Sequence, residues 1–317
     1  MRNAFIDELL ILARRDPRIV ALSSDIGNRM FDRFAAACPG RFINTGIAEA
    51  GMTGIAAGLA LAGLRPFTYT IASFNPGRCL EQIRLDLCQP NLPVTLVGIG
   101  AGLSYASLGP THHALEDMAW LRAIPNMTIV CPGDPLETRA AVRAALAQDG
   151  PLYIRLGKKG EPVCHRNIPE FRIGKAIEIK SGSDAVLLAV GTTLPLALAA
   201  AERLAEMGIT AAVHSFHTVK PLDGELLGSI FSRTAPVAVI EEHAPAGGAW
   251  SGIAEWLAER GGGRAPLLRF GTPDAFFHEA GGQDWARKRS GLEAGVIASR
   301  ISEVLSSRAG EKRAAPL

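Results

Sequence analysis

Apolar positions along the chain alternate between two spacings. Phe5, Ile6, Leu9, Leu10 and Ala13 recur at the three- and four-residue intervals that line one face of a helix. Short apolar runs follow at 19–22, 66–69, 94–97, 128–130 and 152–154, separated by helical patterns or Gly-rich loops. Such short apolar runs predict strands. A second series has strand-like runs at 185–190, 211–213, 237–240 and 267–270, with helical patterns near 194–207, 248–260 and 291–305. Strands and helices in alternation predict mostly parallel sheets covered by helices. The expected fold class is therefore α/β, in two consecutive three-layer domains at 1–160 and 183–306. Residues 161–182, rich in Lys, Gly and Pro and without periodicity, are expected to be a linker. The tail at 307–317 offers no apolar face to bury and is expected to be disordered.

A length of 317 residues agrees with two domains, since single cores stop growing at about 250–300 residues. The 33 basic and 31 acidic residues leave a net charge of +2, which gives no electrostatic case for a nucleic-acid or membrane partner. The opening Met1-Arg2-Asn3-Ala4-Phe5-Ile6-Asp7-Glu8 carries acids where a signal peptide needs an apolar core. The longest apolar-rich stretch, 48–64, is shorter than the roughly 20 residues that span a bilayer. A cytoplasmic protein is expected. Cys38, Cys79, Cys88, Cys131 and Cys164 are scattered without the paired spacing of a metal site, and read as buried or inert thiols.

Four positions stand out chemically. In Asn44-Thr45-Gly46-Ile47-Ala48-Glu49 a loop ends in a carboxylate at the start of a helix of small residues, where Ala50, Gly54, Gly58 and Ala62 recur every four positions. Taken alone this describes a packing helix whose dipole favours an N-terminal charge. Phe74 can equally be a core aromatic, and Asp25 a turn residue at a strand end. His112 follows a Gly-Pro-Thr turn, on a loop at the end of a strand where α/β sheets place ligands.

Several segments, in order, change that balance. Gly46-Ile47-Ala48-Glu49 resembles the glutamate motif of the superfamily of transketolases, deoxyxylulose phosphate synthases and pyruvate dehydrogenase beta subunits. So do Arg78-Cys79-Leu80-Glu81-Gln82-Ile83-Arg84, Gly109-Pro110-Thr111-His112-His113, Ile124-Pro125-Asn126-Met127 and Pro132-Gly133-Asp134. Thr218-Val219-Lys220-Pro221-Leu222-Asp223 and Glu241-Glu242-His243 are similar to the C-terminal domain of transketolases. The resemblance implies a pyrimidine-binding fold followed by the transketolase C-terminal fold, and thiamine diphosphate bound here by its pyrimidine end. It assigns to Glu49 the hydrogen bond to ring nitrogen N1′ that lets the cofactor's own amino group act as base. It also places Phe74 against the aminopyrimidine, Ile47 and Asp25 beside the cofactor, and His112 at the reacting end of the sugar.

The same resemblance breaks at one point. The superfamily holds the diphosphate and its metal with Gly-Asp-Gly and a later Asn; the nearest segment here, Gly133-Asp134-Pro135, has proline in the wrong place. No metal ligands are expected in this chain. Mg2+ or Ca2+ is expected on a partner, an N-terminal diphosphate-binding transketolase subunit, with self-association into an α2β2 assembly. The expected reaction is transfer of a two-carbon ketol unit between small sugars. Substrate positions depart from common transketolases: Leu108 replaces an aspartate, Gly100 a histidine, and Lys158 a phosphate-binding arginine, while Arg29 falls near a phosphate-contacting serine. An atypical sugar, or an anion held by Arg29 and Lys158, is implied. A 2-oxo acid decarboxylating component, like deoxyxylulose phosphate synthase or a pyruvate dehydrogenase beta subunit, and a non-catalytic scaffold remain as alternatives.

Overall fold

A computed structural model describes residues 1–27 and 29–314, with side chains through Arg308. Its strands are β1 (Ile19–Ser23), β2 (Phe42–Asn44), β3 (Arg65–Ile71), β4 (Thr95–Ile99), β5 (Thr128–Val130), β6 (Leu152–Leu156), β7 (Ile177–Lys180), β8 (Ala185–Ala189), β9 (Ala211–Ser215), β10 (Thr218–Lys220), β11 (Val237–Ile240) and β12 (Leu267–Phe270). A seven-stranded sheet has the order β10-β5-β6-β4-β3-β1-β2, and a five-stranded sheet the order β12-β11-β8-β9-β7. Every residue of β1, β4, β6, β8 and β9 is buried, which is why these strands read as unbroken apolar runs. Pairing is parallel except at the edge strands β10 and β7.

Helices cover both faces of the first sheet. Phe5 and Leu9 of the helix Arg2–Ala13 pack with Ile19, Phe67 and Ile154 on one side. On the other, Met52, Ala56 and Ala60 of the helix Glu49–Leu61 join a cluster with Leu22, Leu96 and Met118 that continues into Val186, Leu188 and Val239 of the second domain. The two domains thus share one core. They also share a sheet, because β10, which follows β9 of the second sheet, pairs with β5 of the first. Lys220 Nζ at its end donates to the carbonyl oxygens of Arg122 and Ile124.

Two expectations need correction. The interval 161–182 is not all linker: Ile177–Lys180 forms β7, antiparallel to β9. Its residues are half-buried or exposed at a sheet edge, so they carry no apolar run for periodicity to detect. The helix Ala294–Ala314 runs through most of the tail expected to be disordered. Ala, Glu, Lys and Arg are good helix formers, and extending an anchored helix costs far less than nucleating one. Residues 315–317 lie outside the described residues. Four of the five cysteines are buried, Cys164 is half-buried, and all are free. Among the described residues no helix is long and apolar enough to cross a membrane.

Candidate active site

Register decides what the first sheet gathers. Ser23 pairs with Asn44 and with Tyr69, Ile71 with Ile99, and Ile99 with Leu156, so the carboxyl ends of β1, β2, β3, β4 and β6 lie along one edge. All eight residues singled out from the sequence sit on segments leaving that edge: Asp25 and Arg29 after β1, Ile47 and Glu49 after β2, Phe74 after β3, Leu108 and His112 after β4, and Lys158 after β6.

Glu49 opens its helix and is 4% exposed, although residues 46–48 before it are exposed. Its Oε1 accepts a hydrogen bond from Arg78 Nη1 at 2.7 Å; among the described residues Oε2 accepts none. Phe74 begins the short helical turn Asn75–Arg78, which puts Arg78 one turn beyond it. The Arg78 guanidinium therefore lies over the Phe74 ring, 4.0 Å from its centroid. The Phe74 ring also meets the His112 imidazole edge-on at 5.2 Å, and Tyr105 approaches His112 at 6.3 Å. Glu49, Arg78, Phe74 and His112 thus form one contiguous group.

His112 is half-buried. Its Nδ1 lies 2.9 Å from Thr111 Oγ1, and Nε2 has no hydrogen-bond partner among the described residues. Burial, then the charges of His113 and Arg78, pull its pKa below the ordinary histidine value, so the ring is neutral at pH 7. Asp25 is held by Asn44: the Asp25 N–H donates to Asn44 Oδ1 at 3.1 Å, and Asn44 Nδ2 donates to Asp25 Oδ1 at 2.9 Å. Asn44 Oδ1 also accepts from the Gly46 N–H at 3.0 Å, which ties Asp25 to the loop that delivers Glu49. Asp25 and Arg29 both adopt positive φ, at 54° and 59°, a conformation unusual outside glycine and concentrated near functional sites.

The remaining candidates are more dispersed. Ile47 is 77% and Leu108 55% exposed, two large apolar side chains standing open beside the group. Arg29 and Asp25 line a cavity of about 490 Å3 with Phe31 and Phe42. Lys158 lines a different cavity of about 490 Å3, with Thr192, Gln283 and Arg287 of the second domain. Two further cations went unassigned in the sequence. Arg78 was visible within a motif, but its turn-wise spacing from Phe74 is the signal that links the two. Arg2 precedes the first apolar helix position; its N–H donates to the Lys158 carbonyl at 3.3 Å, and its Nε is buried with no partner among the described residues. Its charge opposes the upward pull of burial on the Tyr105 phenol. In the Glu241-Glu242-His243 motif, Glu241 accepts from the Ala249 and Trp250 N–H groups at 2.7 and 3.1 Å and caps their helix, while His243 Nε2 accepts from the Ala119 N–H of the first domain at 3.4 Å.

The residues fit the pyrimidine end of thiamine diphosphate. A flat heterocycle with ring nitrogens needs an aromatic surface and a water-poor carboxylate with an oxygen to spare, and Phe74 and Glu49 provide both.

The family model described as "Transketolase, pyrimidine binding domain" matches residues 1–161, and that described as "Transketolase, C-terminal domain" matches residues 174–299. The 6-deoxy-6-sulfo-D-fructose transketolase subunit SqwH of Clostridium sp. (strain MSTE9) is 39% identical over 305 residues, covering 96% of this chain and 94% of that protein. An apulose-4-phosphate transketolase subunit of Phocaeicola vulgatus is 37% identical over 275 residues, covering 86% of this chain and 87% of that protein. A solved structure titled as a split gene transketolase, inactive beta4 tetramer, superposes with a TM-score of 0.86 at 36% identity, covering 96% of this chain and 97% of that one.

Proposed function

We infer the function from the family: the chain belongs to the transketolases, with their pyrimidine-binding and C-terminal domains. It is a subunit of a thiamine-diphosphate-dependent transketolase, moving a two-carbon ketol unit from a ketose to an aldose in concert with a diphosphate-binding partner subunit. The observation that carries this reading is the buried Glu49 carboxylate, with Oε2 unclaimed among the described residues, in one group with Phe74 and His112. When bound, thiamine diphosphate supplies the nucleophilic carbon that breaks and remakes the ketol bond.

The chain's own groups do the rest. Glu49, whose Oε2 accepts no bond among the described residues, would hold the pyrimidine ring by a hydrogen bond that the exclusion of water strengthens. Phe74 would offer that ring an aromatic surface, a contact worth roughly 0.5–1.5 kcal/mol beyond buried area. Asp25 and Ile47 line the approach to that ring. His112, neutral and with Nε2 free, accepts a proton from a substrate hydroxyl and returns it.

The substrate is a sugar with an anionic end. Lys158 and Arg2, whose Nε has no partner among the described residues, supply positive charge at one point of the rim, and Arg29 supplies it at another. The names of the two relatives, one a sulfonated and one a phosphorylated sugar transketolase subunit, agree with an anion there. Leu108, exposed and apolar, gives no hydrogen bond to a sugar hydroxyl at its position. The partner holds the diphosphate and its Mg2+ or Ca2+, in an α2β2 assembly.

The test is to co-express the chain with a diphosphate-binding transketolase subunit from the same genome and titrate thiamine diphosphate and Mg2+ by calorimetry. The pair should bind cofactor and transfer ketol units, and the chain alone should do neither. Stoichiometric, tight cofactor binding by the chain alone overturns the division between subunits; carbon dioxide release from pyruvate by the pair overturns the reaction class.

A further inference from the structure

The loop 100–115 carries His112, and the second domain holds it from three directions. Glu242, 1% exposed at the end of β11, accepts from the Leu103 N–H at 2.7 Å and is itself gripped by Gln283 Nε2 at 3.0 Å and by Arg287 Nε. The approach is so close that a Cβ on Gly102 would collide with the Glu242 side chain, and φ at Gly102 is +58°, so only glycine serves there. At the far end of the loop the Ala244 N–H donates to the Leu115 carbonyl at 2.8 Å. In between, Phe277, from the segment after β12, packs with Leu103, Ala106, Leu115 and Ala286 in a small cluster separate from the main cores. Its ring meets the His113 imidazole edge-on at 6.1 Å.

His113 is the pivot. It is 6% exposed, and its Nε2 lies 3.4 Å from the Ala106 carbonyl oxygen. The adjoining turn, Gly109 to His112, is closed by the His112 N–H donating to the Gly109 carbonyl at 3.0 Å. From outside the loop, Ser73 Oγ donates a 3.3 Å hydrogen bond to the Thr111 carbonyl. Backbone geometry lets one residue's side chain fix its neighbour's Cα, so a clamped His113 sets where the His112 ring stands over Phe74.

We propose that Phe277 of the second domain, acting through His113, is a positioning residue for His112. The proposal rests on the reading of His112 as the group that moves the substrate proton. It gives the second domain a task in the reaction: the sheet of the first domain delivers the loop to the rim, and the second domain sets its last ångström.

The test uses the assembled two-subunit enzyme saturated with thiamine diphosphate and Mg2+. Phe277→Ala should lower kcat on the order of tenfold to a hundredfold, as small misplacements of catalytic groups do, with donor KM and cofactor affinity within about twofold. Phe277→Leu, which refills most of the space, should recover most of the rate. In a His112→Ala background the same Phe277→Ala change should have no further effect on kcat, the signature of two residues acting as a unit. Should Phe277→Ala fail to assemble, Phe277→Leu and His113→Gln carry the same cycle with smaller effects. An equal loss in both backgrounds overturns the proposal, as does an undiminished kcat in Phe277→Ala when His112→Ala is impaired. If His112→Ala itself turns over normally, the reading of His112 fails first and the proposal falls with it.

Discussion

Arg155 and Glu49 are both buried charges of the first domain, yet their surroundings differ in kind. Arg155 is 2% exposed, and its guanidinium donates to Asp117 Oδ2 at 2.7 Å, to the Ala114 carbonyl at 2.6 Å and to the Glu242 carbonyl at 3.0 Å. The Tyr153 hydroxyl donates a second bond to the same Asp117 oxygen, at 2.8 Å. The bond to Glu242 reaches the second domain, so the group also ties the two domains together. Among the described residues Glu49 has a single side-chain partner, Arg78, itself 47% exposed, and the loop leading to it stands open. A buried charge whose bonds all point inward builds structure; one that is buried but incompletely bonded, at a rim of exposed apolar groups, is prepared for something else.

Substitutions at the two charges should therefore fail in different assays. Glu49→Gln is nearly isosteric and should leave urea unfolding of the chain unchanged, while turnover of the assembled enzyme falls on the order of 10²–10⁴-fold. Near-normal turnover would remove Glu49 from the mechanism and erase the contrast. Arg155→Met should do the reverse, destabilising the chain by about 3–5 kcal/mol because Asp117 is left buried and unpaired. Adding Asp117→Leu to it should recover part of that loss, since an apolar pair no longer strands a charge. If urea unfolding shows the double variant to be no better than the single, the joint is not organised around this pair.

A smaller effect concerns pH. His217 lies in the joint, fully buried and stacked on Phe171 at 3.9 Å, and burial pushes its pKa down to about 3. Its folded value lies below its unfolded one, so its contribution to stability is present above about pH 6.5 and declines as pH falls toward 3. Between pH 7.5 and 5 the wild-type chain should lose about 2 kcal/mol through this residue alone. His217→Asn, compared by urea unfolding at the two pH values, should lose less than wild type by about that amount. Equal pH dependence in the two proteins would show that His217 becomes protonated in place.

Regular elements buried on both faces were readable from composition alone. The runs at 19–22, 94–97 and 237–240 became β1, β4 and β11 to within two residues at either end, because a strand with no solvent face has little room for polar positions. The strands that escaped were β2, β7 and β10, each only three or four residues long and at a sheet edge, too short to show a pattern. At the site, the motif around Glu49 and the turn before His112 were legible as unusual local sequence. Arg2 was not, because nothing around position 2 distinguishes a cation awaiting a ligand from one on a solvated helix end.

What the sequence determined by itself was local: which segments could be strands or helices, that a carboxylate opens a helix of small residues, and that a histidine follows a tight turn. Those properties depend on neighbours a few positions away, which the chain order already supplies. Only the tertiary structure decided that Glu49, Arg78, Phe74 and His112 touch, that Arg29 and Lys158 line different cavities, and that residues 242 and 277 hold the loop at 103 and 113. Parallel strand register aligns the carboxyl ends of segments more than a hundred positions apart, and the shared core brings the second domain against the first. Both are long-range packing outcomes that no local pattern encodes.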